Sequence, residues 1–154
     1  MTASSVPRWN PWLALAERDD IELWFASLGG DRGRWVRSAE GDEIVLEVSL
    51  ARRARAEVLA HELVHAERGV GWPLATVATM QLEEERVWRI ALDRLAPPAE
   101  VLAFVRRRSA VAPVTALDVA DEFDLSVEAA RRVLRLALVR SPRPPEGGGP
   151  ALSG

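Results

Sequence analysis

The clearest alternation of apolar and polar residues runs from Glu43 to Ser49. Ile44, Leu46 and Val48 fall on one face, and Glu43, Val45 and Glu47 on the other, which marks a half-buried strand. Upstream, Ile21–Leu28 is rich in strand formers (Ile21, Leu23, Trp24, Phe25) and is broken by Gly29-Gly30. Arg34–Ser38 is a second short strand, turned at Glu40-Gly41-Asp42. Asn10-Pro11 supplies an N-cap and a proline at the first helical position, starting a short helix to about Arg18. Three strands of this size predict a small sheet.

Beyond Ser49 the period becomes helical. Ser49 can cap a central helix that runs to about Arg68 and stops at Gly69. Val58, Leu59, Ala60, Leu63, Val64 and Ala66 leave it apolar on nearly every side, so it is expected to be buried. Gly71-Trp72-Pro73 reads as loop. A second long helix spans 74–95 and ends at Pro97-Pro98, with an apolar stripe of Val77, Met80, Val87, Ala91 and Leu95. Ala99–Arg108 is helical, and Ala110–Pro113 is a linker. Thr115–Phe123 is a short helix with Thr115 and Asp118 at capping-box spacing, and Ser126 caps a last helix, Val127–Arg140. The last two, joined at Asp124-Leu125, resemble a helix-turn-helix.

Together these elements predict an α+β fold: a small three-stranded sheet packed on a central helix, with a mostly helical C-terminal half. One domain is expected over residues 10–140, with 110–140 as its helix-turn-helix-like end. Residues 1–9 are expected to be a flexible N-terminus, and the Pro- and Gly-rich 141–154 a disordered tail.

Composition alters this picture in a few places. The chain of 154 residues carries a formal net charge of −3, which argues against a general nucleic-acid-binding surface. The last helix has only a modest basic bias, with Arg131, Arg132, Arg135 and Arg140 against Glu128, so a structural hairpin is preferred to a DNA reader. With no Cys there are no disulfides and no thiolate ligands, which leaves His and carboxylates for any metal. The N-terminus has no apolar signal-like segment, and no stretch approaches 18 apolar residues, so a cytoplasmic protein without membrane spans is expected.

Both histidines of the chain lie in His61-Glu62-Leu63-Val64-His65, on the central helix. Residues four apart share a helix face, so two neutral imidazoles can close on one Zn²⁺ and leave room for a third ligand and a water. Glu62, beside them, is placed to take a proton from that water. Burying these groups without partners costs about 1–3 kcal/mol each, and a metal removes that cost. The alternative is a pair of core histidines bonded to backbone carbonyls.

A third ligand is sought on the second long helix. Glu84 sits at the centre of its apolar stripe, with Glu83 and Glu85 to either side. A carboxylate on a core-facing stripe needs a partner, so Glu84 is read as the ligand. For Glu83 and Glu85 a solvated face, or ion pairing with Arg86 or Arg89, is preferred.

Over about residues 10–138 the sequence resembles the ImmA/IrrE-type metallopeptidase family, particularly its small actinobacterial and phage members. The likeness rests on Asn10-Pro11-Trp12, on Glu43–Ser49 leading into Ala51-Arg52-Arg53, and on the run from Leu59 through His61-Glu62-Leu63-Val64-His65 to Gly69. Glu84-Glu85-Arg86-Val87 matches the segment that carries the family's third ligand. The resemblance implies a zinc-dependent endopeptidase with His61, His65 and Glu84 on Zn²⁺ and Glu62 as general base. It also implies a protein substrate, namely a repressor-type regulator. Substrate backbone is expected along a sheet edge beside the zinc helix, with Glu43–Ser49 as the candidate strand.

One departure concerns Trp88, which stands where many relatives carry an acidic or amide residue that holds a ligand histidine. An indole donates but does not accept, so that histidine must find another partner. With no Tyr and no third His, oxyanion stabilisation falls to Arg68, Arg86 or a backbone N–H. Two other classes stay open: a helix-turn-helix regulator with a structural zinc, and a metal-binding interaction module of weak activity.

Overall fold

The computed structural model describes residues 7–70 and 76–140. Among them the chain forms α1 (Pro11–Ala16), β1 (Ile21–Ala26), β2 (Gly33–Ser38) and β3 (Gly41–Glu47). The remaining elements are α2 (Arg52–Arg68), α3 (Val77–Leu95), α4 (Pro98–Ser109), α5 (Ala116–Phe123) and α6 (Val127–Arg140). The fold is therefore α+β, with a small mixed sheet followed by a helical C-terminal half. No described helix is long and apolar enough to cross a membrane.

The strand order is β1-β3-β2, with β1 parallel and β2 antiparallel to β3. The expected edge position of Glu43–Ser49 is thus overturned: most of that segment is β3, the middle strand, and its backbone is paired on both sides. Among the described residues, the unpaired edge beside α2 belongs to β2. The β2–β3 turn is also tighter than expected, since Ser38 pairs directly with Gly41 across Ala39-Glu40. Val48 lies beyond the end of β3 and is 53% exposed, so only Ile44 and Leu46 of its predicted face enter the core.

Each element has a local cause. Asn10 Oδ1 accepts from the N–H groups of Trp12 and Leu13, with Pro11 at the first helical position of α1. Thr115 and Asp118 form the capping box of α5, and Ser126 Oγ accepts from Ala129 N in α6. Gly69 closes α2 in the left-handed conformation (φ 62°), the backbone region that favours glycine. Ser49 does not cap α2. The capping position is Ala51, which makes no side-chain cap bond, while Ser49 Oγ donates instead to Glu47 Oε1. The helix forms without a side-chain cap because ten consecutive residues, Glu57–Ala66, are buried, and tertiary packing outweighs one cap.

α2 lies between the sheet and α3. Ile21, Ile44 and Leu46 pack on Val58, Leu59 and Leu63 from one side, and Val87 and Ala91 meet Ala60 and Val64 from the other. The C-terminal helices build a further cluster around Val101, Phe104, Val119, Ala120 and Ala130, and Trp88 touches both it and the sheet cluster. Arg8 and Trp9, within the expected flexible N-terminus, make tertiary contacts. Arg8 donates to Glu100, Glu122 and the Glu122 carbonyl, and Trp9 packs on the core. The expected tail at 141–154, the loop at Gly71-Trp72-Pro73 and residues 1–6 lie outside the described residues.

Candidate metal centre

Helical spacing and total burial together shape the centre of α2. His61 and His65 are 6% and 5% exposed, and their ring centroids lie 4.6 Å apart. Each ring is flanked by an indole. Trp88 of α3 lies against His61 at 4.3 Å between centroids, and Trp35 of β2 stacks parallel to His65 at 6.4 Å. These contacts restrict the orientation of both imidazoles.

Glu84 reaches in from α3. Its Oε2 lies 3.0 Å from His61 Nε2 and its Oε1 2.8 Å from His65 Nε2. One ligand atom from each of the three residues can be chosen so that all lie within 4.8 Å of one another, a group able to hold a metal ion. On the other side of His61, Nδ1 lies 3.1 Å from Glu62 Oε1. That contact answers the question raised by Trp88: the second nitrogen of His61 is partnered by the neighbouring glutamate.

The electrostatics are those of a site that wants a cation. Burial disfavours the imidazolium of His61, but hydrogen bonds to Glu62 and Glu84 outweigh it and raise its pKa above the ordinary histidine value. Hydrogen bonds from His61 and then His65 hold Glu84 down to about 2. Facing a carboxylate at each nitrogen, His61 needs either two protons or a metal in place of the proton on Nε2. Two imidazole nitrogens and a carboxylate oxygen fit a divalent ion of borderline hardness.

Glu84 does not lie on the core-facing stripe expected of α3. The buried positions of α3 are Glu83, Val87, Ala91 and Leu92, so Glu83, not Glu84, lies on the core-facing line. The Glu84 side chain keeps 39% exposure, and Val77 is 64% exposed. Glu83 is not on a solvated face either. Its carboxylate accepts from Nε and Nη2 of Arg68, with Arg86 Nη1 at 3.6 Å, so the Arg86 pairing is present but secondary. Arg68 lowers the pKa of Glu83. This pair ties the end of α2 to α3 one residue before Glu84.

β2 supplies parts that sequence reasoning missed. Alternation puts Gly33, Trp35 and Arg37 on the face toward α2. At Gly33 a Cβ would stand 2.4 Å from Val58 Cγ1 and 2.9 Å from Glu62 Oε1, so the strand passes Glu62 only because it carries hydrogen there. Asp42, buried in β3, accepts from Trp35 Nε1 and from Nε and Nη2 of Arg37, and Arg37 also donates to the Ala66 carbonyl. Trp35 is thereby held in its stack on His65. The period-two triplet Gly33-x-Trp35-x-Arg37 was the available signal. Glu57, one turn before His61, is likewise buried and accepts from Ser126 N and Oγ, tying α2 to the start of α6.

The three metal-binding candidates and Glu62 line one open cleft of about 610 Å³, shared with Asp31, Gly33, Arg34 and Trp35. Arg68 and Arg86 do not line it. No protein-family model, curated protein or solved structure matches the chain.

Proposed function

We propose that the protein is a zinc-dependent endopeptidase of the ImmA/IrrE type. The observation that carries this reading is the convergence of His61 and His65 Nε2 on the Glu84 carboxylate, with Glu62 immediately behind. His61, His65 and Glu84 would hold Zn²⁺, which would act as a Lewis acid and lower the pKa of a bound water toward about 7.

The chain's own residues account for the rest. The Glu62 carboxylate takes the proton of the attacking water and passes it to the leaving amine, while its contact with His61 Nδ1 orients that ring. Glu47 N donates to the Arg32 carbonyl, so in this antiparallel pair the backbone groups of Arg32 and Arg34 face β3. The N–H and C=O groups of Gly33 and Trp35 then point to the outer edge of β2, beside the cleft. A substrate polypeptide can add to this edge as a strand. Arg68 is engaged by Glu83, so a backbone N–H on this edge is the better oxyanion donor than either arginine weighed from sequence. The substrate class the resemblance implies is a repressor-type regulatory protein, which fits an open cleft with a free strand edge.

α6 turns Ala129, Ala130, Val133 and Ala137 into the core, and its Arg140 pairs with Asp93. A DNA-reading role for it gains no support from this arrangement.

The test replaces Glu62. Zinc-loaded wild-type protein incubated with host lysate is expected to generate new protein N-termini, detected by terminal labelling and mass spectrometry. Glu62→Gln is expected to keep its zinc and generate none, because an amide is not a general base. Equal sets of new termini from both proteins, or none from either, would overturn the proposal.

A further inference from the structure

Helical periodicity assigns Val77 and Met80 to a buried stripe, yet the structure leaves Val77 64% exposed and Met80 only partly covered. Both open onto a groove of about 610 Å³ that also involves Gln81, Glu85, Trp88 and Arg132. Glu84 lines this groove as well as the cleft that holds the histidines, so the two spaces meet at that carboxylate. Trp88 backs His61 on one side and has Arg132 over its ring at 5.8 Å. Among the described residues, the first turns of α3 thus present apolar side chains to open space next to the candidate metal centre.

We infer that this groove is a specificity pocket that receives one large apolar side chain of a polypeptide bound at the metal centre. The inference rests on the peptidase reading. Desolvation and charge together select the occupant: the lining mixes Glu84 and Glu85 with Arg132, so a charged side chain of either sign meets a repulsion beside any attraction and loses water against an apolar wall. An uncharged apolar side chain meets neither penalty and covers Val77, Met80 and Trp88. Burying a leucine-sized side chain against such a wall corresponds to a preference of about tenfold or more over glycine.

The experiment uses the zinc-loaded protein and four probes, the hydroxamates of N-acetylated glycine, leucine, aspartate and arginine, titrated calorimetrically. The leucine compound is expected to bind about tenfold tighter than the glycine compound, with aspartate and arginine no tighter than glycine. Met80→Ala and Val77→Ser, at positions outside the candidate metal-binding group, are expected to reduce the leucine preference to within about threefold while zinc affinity stays unchanged. Equal affinities for leucine and glycine in the wild type would sink the pocket and leave the metal centre standing. Tighter binding of the aspartate or arginine compound would reverse the chemistry assigned to it. If zinc binds but no hydroxamate does, the centre is not an open catalytic one, and both readings fall.

Discussion

Two helices supply the candidate metal centre, and they are built on opposite plans. α2 is buried around its whole circumference from Glu57 to Ala66, so each of its side chains has a fixed neighbour. α3 is amphipathic, with Glu83, Val87, Ala91 and Leu92 inward and Val77, Leu82 and much of Glu84 toward solvent. Each imidazole on α2 is packed against an indole, whereas the Glu84 side chain keeps 39% exposure. The contrast teaches that a site can take its rigidity from a buried helix and its opening to solvent from an exposed one. The partly exposed member of the group, Glu84, is the one that borders both cleft and groove.

The strongest way to break this comparison is to remove a ligand from the rigid helix. His61→Ala or His65→Ala is expected to lose most bound zinc, weakening affinity by more than the roughly 10–100-fold seen when a supporting residue is lost. Metal content of the purified variants checks this, and full occupancy in the double variant would end the assignment.

On α3 the three adjacent glutamates should separate cleanly. Glu84→Ala is expected to weaken zinc markedly and to shrink the rise in melting temperature on adding zinc, because a ligand that binds the native state stabilises it. Glu85→Ala should change neither quantity. Glu83→Ala should behave differently from both, lowering stability by about 1–3 kcal/mol without metal by leaving Arg68 without its carboxylate. That is less than the roughly 3–5 kcal/mol of a fully buried pair, since Arg68 keeps 27% exposure. A zinc-induced rise should persist in Glu83→Ala but be smaller than in the wild type if the Arg68–Glu83 pair helps aim Glu84. Loss of that rise in Glu83→Ala, with a full rise in Glu84→Ala, would exchange their roles.

The smallest effect sharpens the account of α2. Ala51 stands at its capping position without a cap bond, in extended backbone (φ −64°, ψ 157°) that suits serine or aspartate. Ala51→Ser is expected to stabilise the protein by about 0.5–1 kcal/mol in a denaturant melt, with zinc affinity unchanged. No gain would show that the first turn already has its N–H groups satisfied by water.

Local chemistry was legible in the sequence. The cap of α1, the capping box of Thr115 and Asp118, the glycine stop at Gly69 and the alternation of Ile44 and Leu46 each depend on residues within a few positions, so pattern alone reveals them. The same holds for the pairing of His61 with His65, which needs only a helix. Other features depend on which surfaces meet. Glu84 was the expected ligand, but the reason offered for it was wrong, because the inward line of α3 runs through Glu83, Val87 and Ala91. Periodicity gives the angle between residues on a helix, not the direction of the core, and glutamates one residue apart differ by about 100°. β3 was expected as an edge and is the centre of the sheet, since alternation marks a buried face but carries no strand order.

The amino-acid sequence by itself determined the α+β composition, the pairing of two histidines on one face of α2 and the glutamate beside them, because these are set by neighbours along the chain. Only the tertiary structure decided that Trp35 and Trp88 flank the imidazoles, that Gly33 makes room for Glu62, and that Glu84 meets His61 across 23 positions. Those contacts exist because side chains distant in sequence fill the same space, and close packing, not local propensity, settles which of them do.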